Sequence, residues 1–253
     1  MVTLIEADRR SAVLTPSSIA CLSRMPTVNL TSGCAHGCVY CYTRGYSTHP
    51  GEDKIVLYRN TLSKLKEELA HKRKRPQAVY FSPSSDLFQP VPEVLELGYH
   101  VLEFLLSRGI GIAFLSKGYI PKKIMSLLLK HADNVRAQVG IITLDENVQH
   151  MFEPNTADPD TRIAQIARLV SGGIATEARL YLATLNRLSG SEIPKRRAAL
   201  LDNLLKTWDS EELTALLPDD NKQIDEKCNT LCERTYLWVL TEKMDGYSIG
   251  WEM

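Results

Sequence analysis

Three of the six cysteines fall within eight residues, in Gly33-Cys34-Ala35-His36-Gly37-Cys38-Val39-Tyr40-Cys41-Tyr42, and none follows until Cys228 and Cys232. With 6 cysteines in 253 residues, chance produces such a triplet with a probability on the order of 0.003. A cluster set apart by a long cysteine-free body reads as metal ligation in a reducing compartment rather than as a disulfide framework. Three thiolates at CxxxCxxC spacing can hold three irons of a [4Fe–4S] cubane and leave the fourth iron without a protein ligand. Gly33 and Gly37 suit a loop whose backbone passes close to such a cluster. The competing reading is a non-catalytic zinc module, its fourth ligand drawn from His36, His49, Cys228 or Cys232. Zinc ligands more often come as two separated pairs, and an electron-transfer ferredoxin needs a fourth cysteine in register.

An iron with an open position can chelate the amino and carboxylate groups of S-adenosylmethionine. Reductive cleavage of the sulfonium then yields methionine and a 5′-deoxyadenosyl radical, chemistry that belongs to the cofactors. From that chemistry alone, the expected partners are an electron donor such as flavodoxin or ferredoxin and a substrate that stays unidentified.

The rest of the chain alternates strand-like and helix-like runs. Thr27–Leu30, Ala78–Phe81, Ile112–Leu115, Ala137–Ile142, Thr176–Leu182 and Tyr236–Leu240 read as strands from their β-branched and aromatic content. Helices are expected over Asn60–Arg75, with Asn60 as N-cap, and over Pro92–Arg108, Pro121–His131 and Asp160–Ser171. Such alternation implies parallel strands, and six strands are too few for an eight-stranded barrel, so the expected α/β fold is a partial (β/α)6 barrel. The cysteine loop follows the first strand, at the C-terminal strand ends where such barrels place their sites. The division expected is an N-terminal extension (1–25), a barrel core (26–188) and a C-terminal helical segment with the last strand (189–253). Ile193–Trp208 and Ser210–Leu217 read as helices of that last part.

The motif CxxxCxΦC with an aromatic at Φ, here Tyr40, resembles the signature of the radical SAM superfamily. The wider pattern resembles its spore photoproduct lyase-like branch: Asn29 in the lead-in, Gly33–Tyr42, Ser85-Asp86-Leu87-Phe88-Gln89-Pro90, Ser116-Lys117, Thr143, and Glu153-Pro154 with Arg162. The resemblance implies a TIM-type partial barrel of the radical SAM kind, with Cys34, Cys38 and Cys41 on the cluster. It also implies that Tyr40 meets the adenine, that Ser82, Ser84 and Asp86 meet the cofactor's amino group, and that Ser116 and Lys117 hold its carboxylate or ribose, with Thr143 completing the cofactor residues. A substrate would then lie near Asp86, Thr143 and Arg179. Spore photoproduct lyases use a cysteine near the second strand as hydrogen-atom donor, and Phe81–Asp86 contains none. Whether the net reaction is that of a lyase or a transferase stays open.

Outside these motifs the signals are weaker. Lys72-Arg73-Lys74-Arg75 offers a nucleic-acid contact if it lines the same cleft as Cys34, but reads first as a solvated helix end. Lys plus Arg and Asp plus Glu number 30 each, which argues against a strongly basic nucleic-acid binder. Cys228 and Cys232 share a face if helical, as a thiol pair or an auxiliary site, and Cys21 reads as a packed thiol. No membrane-length apolar run or leader pattern is visible, so a cytoplasmic protein is expected.

Overall fold

Runs such as Ala78-Val79-Tyr80-Phe81 can bury one face and present the other, and they assemble into the expected sheet. The computed structural model describes residues 2–16, 25–181 and 237–240. Its larger sheet has the order β2 (Thr27–Val28), β5 (Ala78–Phe81), β6 (Gly111–Ser116), β7 (Val135–Ile141), β8 (Ala175–Tyr181) and β9 (Leu237–Leu240). The first five are parallel. Between them lie α2 (Pro92–Leu106), α3 (Lys122–Lys130), and the pair α4 (Glu146–Phe152) and α5 (Pro159–Ser171). The sixth strand corrects the all-parallel expectation: β9 runs antiparallel against β8, with Val239 opposite Arg179. A reversed edge strand is a common ending for a parallel sheet.

A second sheet of three strands, β1 (Thr3–Ala7), β4 (Lys54–Tyr58) and β3 (Thr31–Ser32), flanks this one and leads through α1 (Thr61–His71) into β5. β1 pairs with β4 in parallel, so the N-terminal segment adds an edge strand to this sheet.

Side chains alternate across a strand, and that alternation divides the larger sheet. Val79, Phe81, Ile112, Phe114, Val135, Ala137 and Val139 join the core with Val101, Leu102, Leu105 and Leu128 of α2 and α3. Full burial of one such side chain stabilises by about 1.5–3 kcal/mol. The other face is polar: Tyr80 donates to Gln138 Oε1 (3.3 Å), Gln138 donates to Glu177 Oε2 (2.8 Å), and Arg179 stands 3.9 Å from the same oxygen.

Helix starts follow side-chain capping where the side chain is available. Asp158 accepts from Thr161 N–H (2.7 Å) and precedes Pro159 at the start of α5; Asp145 caps α4 through Asn147 and Val148 N–H. Asn60 does not cap α1 by its side chain, because its amide is taken by Arg9, whose N–H and C=O it bonds at 2.8 and 3.1 Å.

The basic run Lys72–Arg75 is exposed and lies just before β5, at the N-terminal end of the parallel strands. The cysteine loop stands at the opposite end, so the run does not share its cleft. Among the described residues no helix is long and apolar enough to cross a membrane. Cys21, Cys228, Cys232 and the two helices expected between Ile193 and Leu217 lie outside the described residues.

Candidate active site

Cys34 follows β3 directly, and the backbone that brings it there admits only glycine before it. Gly33 has φ +81°, and a Cβ at that position would lie 2.5 Å from the Lys54 carbonyl oxygen. Cys34 and Cys41 are half-buried and Cys38 is buried.

Two loops clamp the cysteine segment from opposite sides. From the β5–α2 loop, fully buried Gln89 accepts from Ala35 N–H (2.9 Å) and donates to Thr31 Oγ1 and Asp86 C=O (both 3.0 Å). From the α4–α5 side, Asn155 donates to the Ala35 carbonyl (2.9 Å) and, through its N–H, to the His36 carbonyl (3.2 Å). Val39 N–H donates to the Phe152 carbonyl (3.0 Å).

Asp86 joins the ends of β5 and β6. Its Oδ1 accepts from Ser116 Oγ (2.7 Å) and Phe88 N–H (2.8 Å), and its Oδ2 accepts from Lys117 N–H (2.8 Å). His36 Nδ1 stands 3.9 Å from the same Oδ2. A carboxylate has about four acceptor positions, so three of them serve to hold Asp86 in place. Burial is the main force lowering the His36 pKa below its ordinary value, with Asp86 opposing it.

A second buried network reaches the motif from the other side. The Tyr40 hydroxyl donates to Glu153 Oε1, and Glu153 Oε2 pairs with Arg162 Nη2 at 2.7 Å. Both members are essentially inaccessible, at 0% and 1%. Arg162 also donates to the carbonyls of Ala157 and Gly140 (both 2.7 Å), tying α5 to β7. The Lys117 ammonium lies 5.5 Å from the Tyr40 ring centre, within reach of a cation–π contact.

The structure thus brings Asp86, Ser116 and Lys117 into one hydrogen-bonded group beside the cysteine loop, with Tyr40 against Lys117. Ser82 lies next to them, buried, at φ +53°, and its hydroxyl finds no partner among the described residues. Ser84 is tied by its N–H to Asn29 Oδ1 (3.1 Å). Thr143 sits further along the sheet after β7 and accepts from Asp145 N–H (3.1 Å). Sequence reading passed over Gln89 and Asn155 as clamps, and gave no role to the Glu153–Arg162 pair. Their partners are distant in sequence, as with Tyr40 and Glu153, 113 residues apart.

Whether these residues fit an iron–sulfur cluster is decided by the chemistry of the donors. Burial raises the Cys38 thiol to about 12, and burial followed by Asp86 pushes Cys34 well above its ordinary value. Thiols in such surroundings become thiolates when a cation supplies the compensating charge, releasing protons as it binds. Among the described residues, no three His, Cys, Asp or Glu side chains gather as ligands of a single metal ion. In a mononuclear site with bonds of ~2.3 Å, thiolates lie about 3.8 Å apart; a cubane takes each thiolate on a different iron, with wider spacing. Three thiols on one braced loop, with the buried His36 Nε2 unpartnered within it, are a donor set that a cluster of several irons can take.

Residues 28–185, more than half of the chain, match the family model of the Radical SAM superfamily. The chain belongs to the radical SAM superfamily, a class of enzymes. Within that class its fold is that of spore photoproduct lyase. A solved spore photoproduct lyase complexed with dinucleoside spore photoproduct superimposes with a TM-score of 0.54 at 16% identity, over 88% of this chain and 69% of the other. A variant of that enzyme with bound AdoMet and the same dinucleoside gives 0.54 at 17% identity, over 82% of this chain and 58% of the other. An uncharacterised protein of Mycobacterium tuberculosis (strain ATCC 25618 / H37Rv) is 26% identical over 184 residues, 68% of this chain and 54% of its own length. A radical SAM Nalpha-GlyT isomerase of Pseudomonas phage M6 is 27% identical over 148 residues, 58% of this chain and 30% of its own length. The chain spans about half the length of the mycobacterial relatives it matches.

Proposed function

We propose that Cys34, Cys38 and Cys41 hold a [4Fe–4S] cluster and that the chain initiates a radical reaction on a substrate bound over the polar face of the sheet. The observation that carries this reading is the cysteine loop itself, clamped by Gln89 and Asn155 and flanked by the Asp86–Ser116–Lys117 group. When bound, the cluster supplies the reductive cleavage of S-adenosylmethionine to methionine and a 5′-deoxyadenosyl radical, which abstracts hydrogen from the substrate.

The chain's own residues bind and orient. Lys117 offers its ammonium to the cofactor's carboxylate or ribose, while Ser116, locked to Asp86, fixes the turn that carries Lys117. Ser82 and Ser84 present hydroxyls to the cofactor's amino group, and the last acceptor position of Asp86 faces the same way. Tyr40 meets the adenine with its backbone while its hydroxyl is anchored on Glu153. Thr143 and the Tyr80–Gln138–Glu177–Arg179 row form the substrate side. Cys38 itself is buried, which keeps water from a reactive species formed there.

A flavodoxin- or ferredoxin-type protein supplies the electron, in a reducing compartment such as the cytoplasm. Photoproduct repair by a cysteine hydrogen donor is not part of this reading, since Phe81–Asp86 lacks that cysteine. The nucleic-acid-modifying alternative loses its specific support, because Lys72–Arg75 lies at the other end of the strands.

Anaerobic reconstitution with iron and sulfide tests the cluster directly. About four iron and four sulfide per chain, falling steeply in a Cys34→Ser variant, is the expected result. A colourless protein that retains one zinc per chain would overturn it.

A further inference from the structure

We propose that a small polar pocket beside Arg9, at the edge of the cysteine loop, is a binding site for an oxoanion, the phosphate or carboxylate group of a ligand. The pocket has a volume of about 150 Å³. That is about five times the ~30 Å³ share of one liquid water and well below the ~300 Å³ minimum of a drug-sized site, so it suits one charged head group.

Arg9 carries the argument. Its side chain lines the pocket, and the residue is 9% exposed. One nitrogen, Nη2, donates to the Asn29 carbonyl at 2.5 Å; Nη1 reaches the Ala12 carbonyl at 3.4 Å; Nε has no partner. The guanidinium lies 4.3 Å from the Tyr58 ring centre, which fixes its plane. Among the described residues it forms no ion pair. Glu68, the acid whose field reaches it, spends both oxygens on the N–H groups of Val13 and Leu14, at 2.6 and 3.0 Å.

A buried guanidinium with no carboxylate beside it is costly, and such charges are normally paired. Each Nη atom keeps a second N–H beyond the one given to a carbonyl, and these can serve an oxoanion. Tyr46 and Tyr58 also line the pocket, and their phenols are further donors for such a group.

The walls include Gly33 and Thr43, on either side of the cysteine motif, but none of the three cysteines. Thr43 Oγ1 lies 3.0 Å from Cys41 Sγ. An anion seated here is therefore held next to the cluster loop without occupying the place of the cluster.

The test uses the full chain and two probes, inorganic phosphate and acetate, at constant ionic strength, read by phosphorus NMR line-broadening and by thermal shift. Wild type is expected to bind at least one probe saturably. Ser11 is exposed, so Ser11→Glu places a carboxylate at the pocket rim without touching the core. It is expected to weaken binding by about tenfold or more, whereas Ser11→Gln leaves it within about twofold. Phosphate preference would identify a phosphate-bearing ligand and acetate preference a carboxylate. Absence of saturable binding of either probe, or equal binding by Ser11→Glu and wild type, overturns the proposal. Neither readout depends on iron or on S-adenosylmethionine, so this result stands or falls apart from the radical reaction.

Discussion

Gly33→Ala forces an L side chain into φ +81° and drives its Cβ to 2.5 Å from the Lys54 carbonyl. The expected cost is about 3 kcal/mol, measurable as a lowered urea midpoint with an unchanged slope. Arg162→Leu leaves the Glu153 carboxylate buried and unpaired, and removal of one partner of such a pair costs about 3–5 kcal/mol. The double variant Glu153→Gln, Arg162→Leu should recover part of that loss in the same denaturation series. The Cys38 thiol gives a pH signature. Its pKa is raised from 9.0 to about 12, so the unfolded chain holds fewer protons than the folded one between those values, and stability without iron falls as pH rises through that window. Urea unfolding between pH 8 and 10.5 should show that slope, lessened in Cys38→Ala; an unchanged slope would remove burial of this thiol as its cause. At this scale the cysteine loop stood out from spacing alone, since three thiols within eight residues leave little else to read. Asp86, Ser116 and Lys117 came through family resemblance, and their mutual bonds could not be seen because they join the ends of different strands.

Secondary-structure elements were read well where burial imposes a pattern and poorly where it does not. The strands β5 to β8 are short apolar runs between turn residues, and the structure places them within a residue or two of expectation. Thr3–Ala7 is largely exposed, so its sequence carries no alternation, and only pairing with Lys54–Tyr58 makes it a strand. The helix α4 is seven residues long, too short for a helical period to show. Caps act at this scale. Asp158→Ala removes the acceptor for Thr161 N–H and should cost about 1 kcal/mol of stability. Hydrogen bonding to Thr161 holds the Asp158 carboxyl below its ordinary value of 3.8, so its contribution is present above that pH and lost as pH falls through the lowered value. A wild-type minus Asp158→Ala difference in stability that does not shrink as pH falls from 5 into the acid range would contradict this.

Across the whole molecule, the parallel strands set a polarity. Their C-terminal ends carry the cysteine loop, Ser82–Asp86, Ser116–Lys117 and Thr143; their N-terminal ends carry the exposed basic run. Charge reversal at Lys72 and Arg73 is therefore expected to leave 5′-deoxyadenosine yield within about twofold of wild type, since charges separated by more than a Debye length of ~8 Å are largely screened. The partial barrel was legible from strand–helix alternation. The reversed edge strand was not, because direction at a sheet edge is set by the path of the chain rather than by the strand's own residues. The measurement closest to the central claim is anaerobic reconstitution followed by reduction with dithionite in the presence of S-adenosylmethionine, assayed for 5′-deoxyadenosine. Product in wild type that disappears in Cys38→Ala is the expected result; a reconstituted, reduced protein that forms none, or equal product in Cys38→Ala, would contradict it.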